Sequence, residues 1–137
     1  MERYSRVDKS GRITIHPKLA ENLYDIQLVL AGAAGVLPTT GTTYEMLILA
    51  QKGKLSHEEG PLQPFKLSMQ EDCTIDKKRR LLVPSYLADY AGIEIGNRVT
   101  IVGEAGSTEL FICEKERWDK YKKQALKETR SKILSIV

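Results

Sequence analysis

An internal repeat constrains this chain more than any other feature. Val7-Asp8-Lys9-Ser10-Gly11-Arg12-Ile13-Thr14-Ile15 aligns with Ile75-Asp76-Lys77-Lys78-Arg79-Arg80-Leu81-Leu82-Val83 at an offset of 68 residues. The same register pairs Leu19 with Leu87, Ala20 with Ala88 and Glu21 with Asp89, giving five identities and four conservative pairs over residues 7–23. Duplication explains this better than chance. With small gaps, Leu28-Val29-Leu30-Ala31-Gly32 matches Val99-Thr100-Ile101-Val102-Gly103, and Glu45-Met46-Leu47-Ile48 matches Glu109-Leu110-Phe111-Ile112. The copies differ mainly in the connection between these last two strands, which is long and Gly/Thr-rich in the first (residues 32–43) and short in the second (residues 104–107).

Each copy reads as strand, tight turn, strand, short helix and hairpin. The helices are expected over residues 17–23 and 84–91, each opening near a proline whose missing N–H costs nothing there. Gly92 is placed to stop the second. Short alternating strands between turn signals point to a barrel or sandwich. One copy alone buries too little surface for comfort, so two copies that interleave their strands around one core are expected. The expected fold class is therefore mainly β with short helices (α+β), a pseudo-symmetric barrel built from two repeats with a C-terminal helix after it. The divisions are a first half over residues 3–50, a connector over 51–69, a second half over 70–117 and a helix over 118–137. In that helix Trp118, Tyr121 and Ala125 share a face, which Ile133 and Ile136 continue.

Charge is clustered rather than large. The formal net charge is only +3. Arg3, Arg6, Lys9 and Arg12 crowd the N-terminus, and Lys77-Lys78-Arg79-Arg80 is an unbroken basic run. From Glu114 onward, eight Lys or Arg face four acids. Such clusters fit a polyanion-facing surface as readily as several separate solvated faces. A polar N-terminus and the lack of a long apolar stretch give the expectation of a soluble, cytoplasmic protein without a membrane partner. Cys73 and Cys113 lack metal-type spacing and are expected to serve as small apolar residues, unbridged.

Asp8 and Arg12 flank one predicted turn, and Asp76 and Arg80 the other. A carboxylate at the start of a tight turn accepts turn N–H groups, and Gly11 permits positive φ. The aspartates are thus expected mainly to cap their turns. Each arginine can close an ion pair or point outward, where its fork suits phosphate or guanine. Their basic surroundings favour the outward, binding role. An enzyme is the least supported class. His16 and His57 are not spaced as metal ligands, no phosphate loop or nucleophile motif occurs, and Glu58-Glu59 reads as solvated charge. No cofactor, metal or small-molecule substrate is expected.

The second half, from Thr74-Ile75-Asp76-Lys77-Lys78-Arg79-Arg80-Leu81-Leu82-Val83-Pro84 through Glu109-Leu110-Phe111-Ile112 to Glu116-Arg117-Trp118, resembles the MraZ family of the SpoVT/AbrB swapped-hairpin superfamily. The resemblance is good over residues 70–121, moderate over 3–23 and weak over 31–69. It implies two AbrB-type halves in one swapped-hairpin barrel and assembly into a homo-oligomeric ring. It also implies a nucleoid-associated regulator, mostly a repressor, that binds repeated boxes in double-stranded DNA upstream of division and cell-wall genes. Carried over by position, Arg12 and Arg80 contact DNA with Asp8 and Asp76 as motif partners, while Lys9, Lys77, Lys78 and Arg79 join them through charge. Arg79 stands where the family usually has Gly, so its turn must take negative φ or tolerate strain. His16 occupies the usual proline slot, with Pro17 one place later. The segment between the halves lacks the family's usual helical pair. AbrB-type chains also include antitoxins, so the alternative is a protein-interaction module whose C-terminal helix binds a partner.

Overall fold

The computed structural model describes residues 1–21, 23, 26–31, 46–51, 70–104, 106 and 108–136. The chain runs β1 (Glu2–Arg6), β2 (Arg12–Thr14), α1 (Pro17–Ala20), β3 (Ile26–Ala31), β4 (Met46–Gln51), β5 (Gln70–Cys73), β6 (Arg80–Leu82), α2 (Ser85–Ala91), β7 (Arg98–Val102), β8 (Glu109–Glu114) and α3 (Lys115–Ile136). The expected connector over 51–69 and the long connection after Ala31 fall almost wholly outside the described residues, as do His57 and Glu58-Glu59.

Six strands form an antiparallel sheet in the order β1-β7-β8-β4-β3-β5, and β2 pairs with β6 in a separate two-stranded ladder. The two halves are interleaved strand by strand. β1 pairs with β7, β5 with β3, β4 with β8 and β2 with β6, all across the boundary between halves. Equivalent strands pair symmetrically: Leu47, the counterpart of Phe111, meets Ile112, and Ile48, the counterpart of Ile112, meets Phe111. In the ladder Ile13 meets its counterpart Leu81, flanked by Arg12↔Leu82 and Thr14↔Arg80.

The expected barrel does not close among the described residues. Among the described residues the sheet keeps two edges, β1 and β5, and the β2–β6 ladder lies apart. The reason is local. A tight turn precedes each of β2 and β6 and a helix start follows, which leaves each strand three residues long. Strands that short pair with each other and do not reach across to both sheet edges.

β4 shows why the sheet is central. Met46 to Ala50 are all fully buried, the continuous apolar run of a strand covered on both faces. Leu47 and Leu49 point into a main core with Ile13, Ile15, Leu19, Leu81, Val83 and Leu87, beneath the ladder and the two short helices. Met46, Ile48 and Ala50 point the other way, into a second cluster with Cys113, Trp118 and Tyr121. Helix α3 therefore covers the outer sheet face of its own chain through the residues whose spacing marked its apolar side. The side chains of Ile133 and Ile136 lie outside the described set. Cys73 packs against the main core and Cys113 within the second, so the two thiols, which form no disulfide, sit on opposite faces. Burial pushes the Cys73 thiol up to about 12, which keeps it protonated and unreactive at neutral pH.

The helix ends follow their residues. α1 closes at Ala20, shorter than expected, and His16 Nδ1 accepts the Lys18 N–H at 3.2 Å as its N-terminal cap. α2 ends on Gly92 at φ 69°, with Ile93 N–H donating back to Ala88 O at 2.9 Å. Arg117 Nη1 then donates to Ala91 O at 2.7 Å, tying the start of α3 to the end of α2.

Candidate nucleic-acid interface

Both Asp-x-x-x-Arg segments fold into the same turn. Gly11 N–H donates to Asp8 O at 3.0 Å and Asp8 N–H to Arg12 O at 2.9 Å. The second copy repeats this, Arg79 to Asp76 at 2.9 Å and Asp76 to Arg80 at 3.0 Å. These are three-residue loops closed by a left-handed residue in the bulge position. That residue is Gly11 at φ 79° in the first turn and Arg79 at φ 63° in the second. Of the two ways Arg79 can replace glycine, the chain adopts the strained one.

The aspartates hold the turns from inside. Asp8 Oδ1 accepts the N–H groups of Ser10 at 2.8 Å and Arg12 at 2.9 Å. Asp76 Oδ1 accepts those of Lys78 at 2.9 Å and Arg80 at 2.8 Å. The bond from the Arg12 backbone, that from Ser10 and the nearby Arg12 and Arg80 charges hold the Asp8 carboxyl below its ordinary value. Asp76 is lowered likewise, by the Arg80 backbone N–H first and the Arg80 guanidinium after it. Both carboxylates thus stay ionised at neutral pH while their oxygens are occupied within the turn.

The arginines differ. Arg80 Nε donates to Asp76 Oδ2 at 3.0 Å. Among the described residues Arg12 makes no side-chain hydrogen bond or ion pair, and its charge acts on Asp8 only through space.

The ladder brings the two turns together. Beyond the β2–β6 register, Val83 N–H donates to Gly11 O at 3.1 Å and Ile15 N–H to Arg79 O at 2.8 Å, so each strand also bonds the other half's turn. Ile13 and Leu81, paired at the centre, point into the core. By the period of two, Arg12, Thr14, Arg80 and Leu82 share the outer face. Arg12 is opposite Leu82 and Arg80 is opposite Thr14, so the arginines are diagonal neighbours roughly 7–8 Å apart. Lys9 at one end of the ribbon and Lys77, Lys78 and Arg79 at the other are all exposed. Every residue expected from motif or charge to face DNA is therefore on this ribbon or its turns. Sequence reasoning passed over Thr14 and Leu82. The signal was present: each lies two places after a motif arginine, and Leu82 is 48% exposed although apolar.

Among the described residues no cluster of His, Cys, Asp or Glu could hold a metal ion, and no helix is long and apolar enough to cross a membrane.

These features define a class: a mainly β protein of two interleaved repeats that displays an arginine-bearing two-stranded ribbon between basic turns. Comparison with known proteins makes the class specific. The family model of the MraZ protein, whose description includes the word antitoxin-like, matches residues 67–135. The chain is 38% identical to the transcriptional regulator MraZ of Natranaerobius thermophilus over 87% of this chain and 82% of that protein. It is 30% identical to that of Pelotomaculum thermopropionicum over 90% and 85%, and 29% identical to that of Heliobacterium modesticaldum over 87% and 82%. The chain belongs to the MraZ family.

Proposed function

We propose that this protein is a sequence-specific, double-stranded-DNA-binding transcriptional regulator and that the β2–β6 ribbon is its reading surface. The observation that carries this is the placement of Arg12 and Arg80 on the outer face of one two-stranded ribbon with basic turns at both ends. A major groove admits a two-stranded ribbon. The Arg12 fork suits the O6 and N7 acceptors of guanine, and Arg80, held by Asp76, presents its remaining donors in a set direction. Lys9, Lys77, Lys78 and Arg79 meet the phosphates and fix the register. Asp8 and Asp76 act through turn shape. No catalysis, cofactor or small-molecule substrate enters this reading, and the site of action is the nucleoid in the cytoplasm.

The cross-pairing of equivalent strands supports a swapped-hairpin organisation with internal two-fold pseudo-symmetry. In that organisation residues 3–50 and 70–117 are the AbrB-type halves, 51–69 the connector and 118–137 the body of the helix. Family membership supports repression of a division or cell-wall operon through repeated boxes, by a homo-oligomer. The antitoxin alternative draws on the family description. Burial of Trp118 and Tyr121 on the chain's own sheet weighs against it, because it occupies the apolar face that a toxin would need.

Gel-shift titration of Arg12→Ala and Arg80→Ala on a promoter duplex tests the proposal. Each variant is expected to bind about five- to 150-fold more weakly, the equivalent of about 1–3 kcal/mol per bidentate base contact. Lys77→Ala, which removes one phosphate contact, should lower the log–log salt slope by about 0.9. Unchanged affinity in both arginine variants would remove the ribbon from the reading surface.

A further inference from the structure

We infer that Leu82 is a specificity-determining residue that recognises the C5-methyl group of thymine. This rests on the DNA-reading role of the ribbon and deepens it. Leu82 lies opposite Arg12 and two residues along β6 from Arg80, so on the outer face it is the direct neighbour of both arginines. Its strand neighbours Leu81 and Val83 are buried at 0% and 5% exposure, whereas Leu82 is 48% exposed. The core therefore does not require an apolar side chain here. Solvent does not favour one either, least of all inside a basic cluster.

The occupant follows from the surroundings. Lys9 and Arg12 on one side and Lys77, Lys78, Arg79 and Arg80 on the other attract a polyanion, and on duplex DNA the apolar group displayed in the major groove is the thymine methyl. Leucine offers branched methyls to that group without bringing a polar atom that would lose its water. The equivalent position on β2 is Thr14, a shorter and polar side chain. The two strands of the ribbon thus offer unequal contacts, Arg12 with Thr14 and Arg80 with Leu82, and the preference for thymine belongs to the β6 side of the bound site.

The test uses the full chain and a duplex enriched by it from a random-sequence pool. Each thymine of that duplex is replaced in turn by deoxyuridine, which removes the methyl and leaves the base pair intact. The native protein is expected to bind about fourfold more weakly at one or two positions, the effect of one buried methyl-sized group. Leu82→Ala is expected to bind the thymine duplex about as weakly and to lose nothing further at those positions, while Leu82→Met retains the discrimination. Circular dichroism unchanged in Leu82→Ala establishes that the exposed substitution leaves the fold intact. Native protein that binds the duplex but treats thymine and deoxyuridine alike everywhere overturns the role of Leu82 and leaves DNA reading by the ribbon standing. So does a Leu82→Ala protein that keeps the native discrimination, including one whose only change is a smaller assembly mass, which would assign Leu82 to a protein contact. Failure to enrich any duplex overturns both readings.

Discussion

Arg79 shows most directly how a residue can be kept against its own conformational preference. Its φ of 63° places it in the left-handed region, where a side chain costs about 1–2 kcal/mol relative to glycine. The first copy fills the equivalent position with Gly11 at φ 79° and makes the same hydrogen bonds, so the turn itself does not need an arginine. The strain is offset elsewhere in the fold, and what the arginine adds is a fourth consecutive positive charge. Arg79→Gly is therefore expected to stabilise the protein by about 1 kcal/mol, read as a rise of a few degrees in thermal midpoint, while weakening DNA binding and flattening its salt dependence. A variant that gains stability and keeps both affinity and salt slope would show that Arg79 makes no phosphate contact. The turns were legible in the sequence because their chemistry is local: an aspartate reaches N–H groups two and four residues ahead. Whether Arg79 would accept positive φ was not legible, because the answer depends on cross-strand bonds such as Ile15 N–H to Arg79 O, which hold the backbone in place.

At the scale of an element, α3 is a helix whose apolar stripe was readable and whose destination was not. Trp118 and Tyr121 are 9% and 6% exposed against Met46, Ile48, Ala50 and Cys113. Glu114 receives the Arg117 N–H at 2.9 Å at the helix start. Trp118 Nε1 donates to Glu2 Oε1 at 3.2 Å, and Lys122 Nζ pairs with the same carboxylate at 3.1 Å, fastening β1 beneath the helix. Burial pushes the Glu2 carboxyl up, but the bonds from Lys122 and Trp118 outweigh it and leave the group below its ordinary value. Trp118→Ala removes the largest of these side chains and should destabilise the fold by about 3 kcal/mol. Leu126→Ala, at a site 66% exposed, should change stability by less than about 0.5 kcal/mol. Urea denaturation of the two variants decides this; equal, small losses would mean that α3 does not contribute to the stability of the sheet. The stripe alone left open whether the helix met its own sheet or a partner. β4 is apolar at every position from Met46 to Ala50, which conceals which of its two faces a helix covers.

For the whole molecule, the decisive property is that the halves do not fold side by side. Every named strand pair except β3 with β4 and β7 with β8 joins one half to the other. Unfolding one half would remove hydrogen-bond partners from the other, so the chain should melt as a single cooperative unit. Self-association is a proposal at this scale, supported by family membership. Light scattering at tens of micromolar should give a mass of several chains. A single-chain mass would rule out a ring and leave a monomeric regulator with one ribbon per molecule.

By itself the sequence determined the duplication, the two capped turns, the stop of the second short helix at Gly92, and the basic residues that surround the turns. All of these depend on groups within a few residues of each other, where side-chain chemistry and backbone preference act directly. Only the tertiary structure decided that β1 pairs with β7 and β3 with β5, that the expected barrel is, among the described residues, an open sheet with a separate ribbon, and that Leu82 stands exposed beside Arg12 and Arg80. Those outcomes depend on how strands distant along the chain align to bury both faces of β4. A repeat specifies the units and their local turns, but the shared core that both copies must fill selects the arrangement.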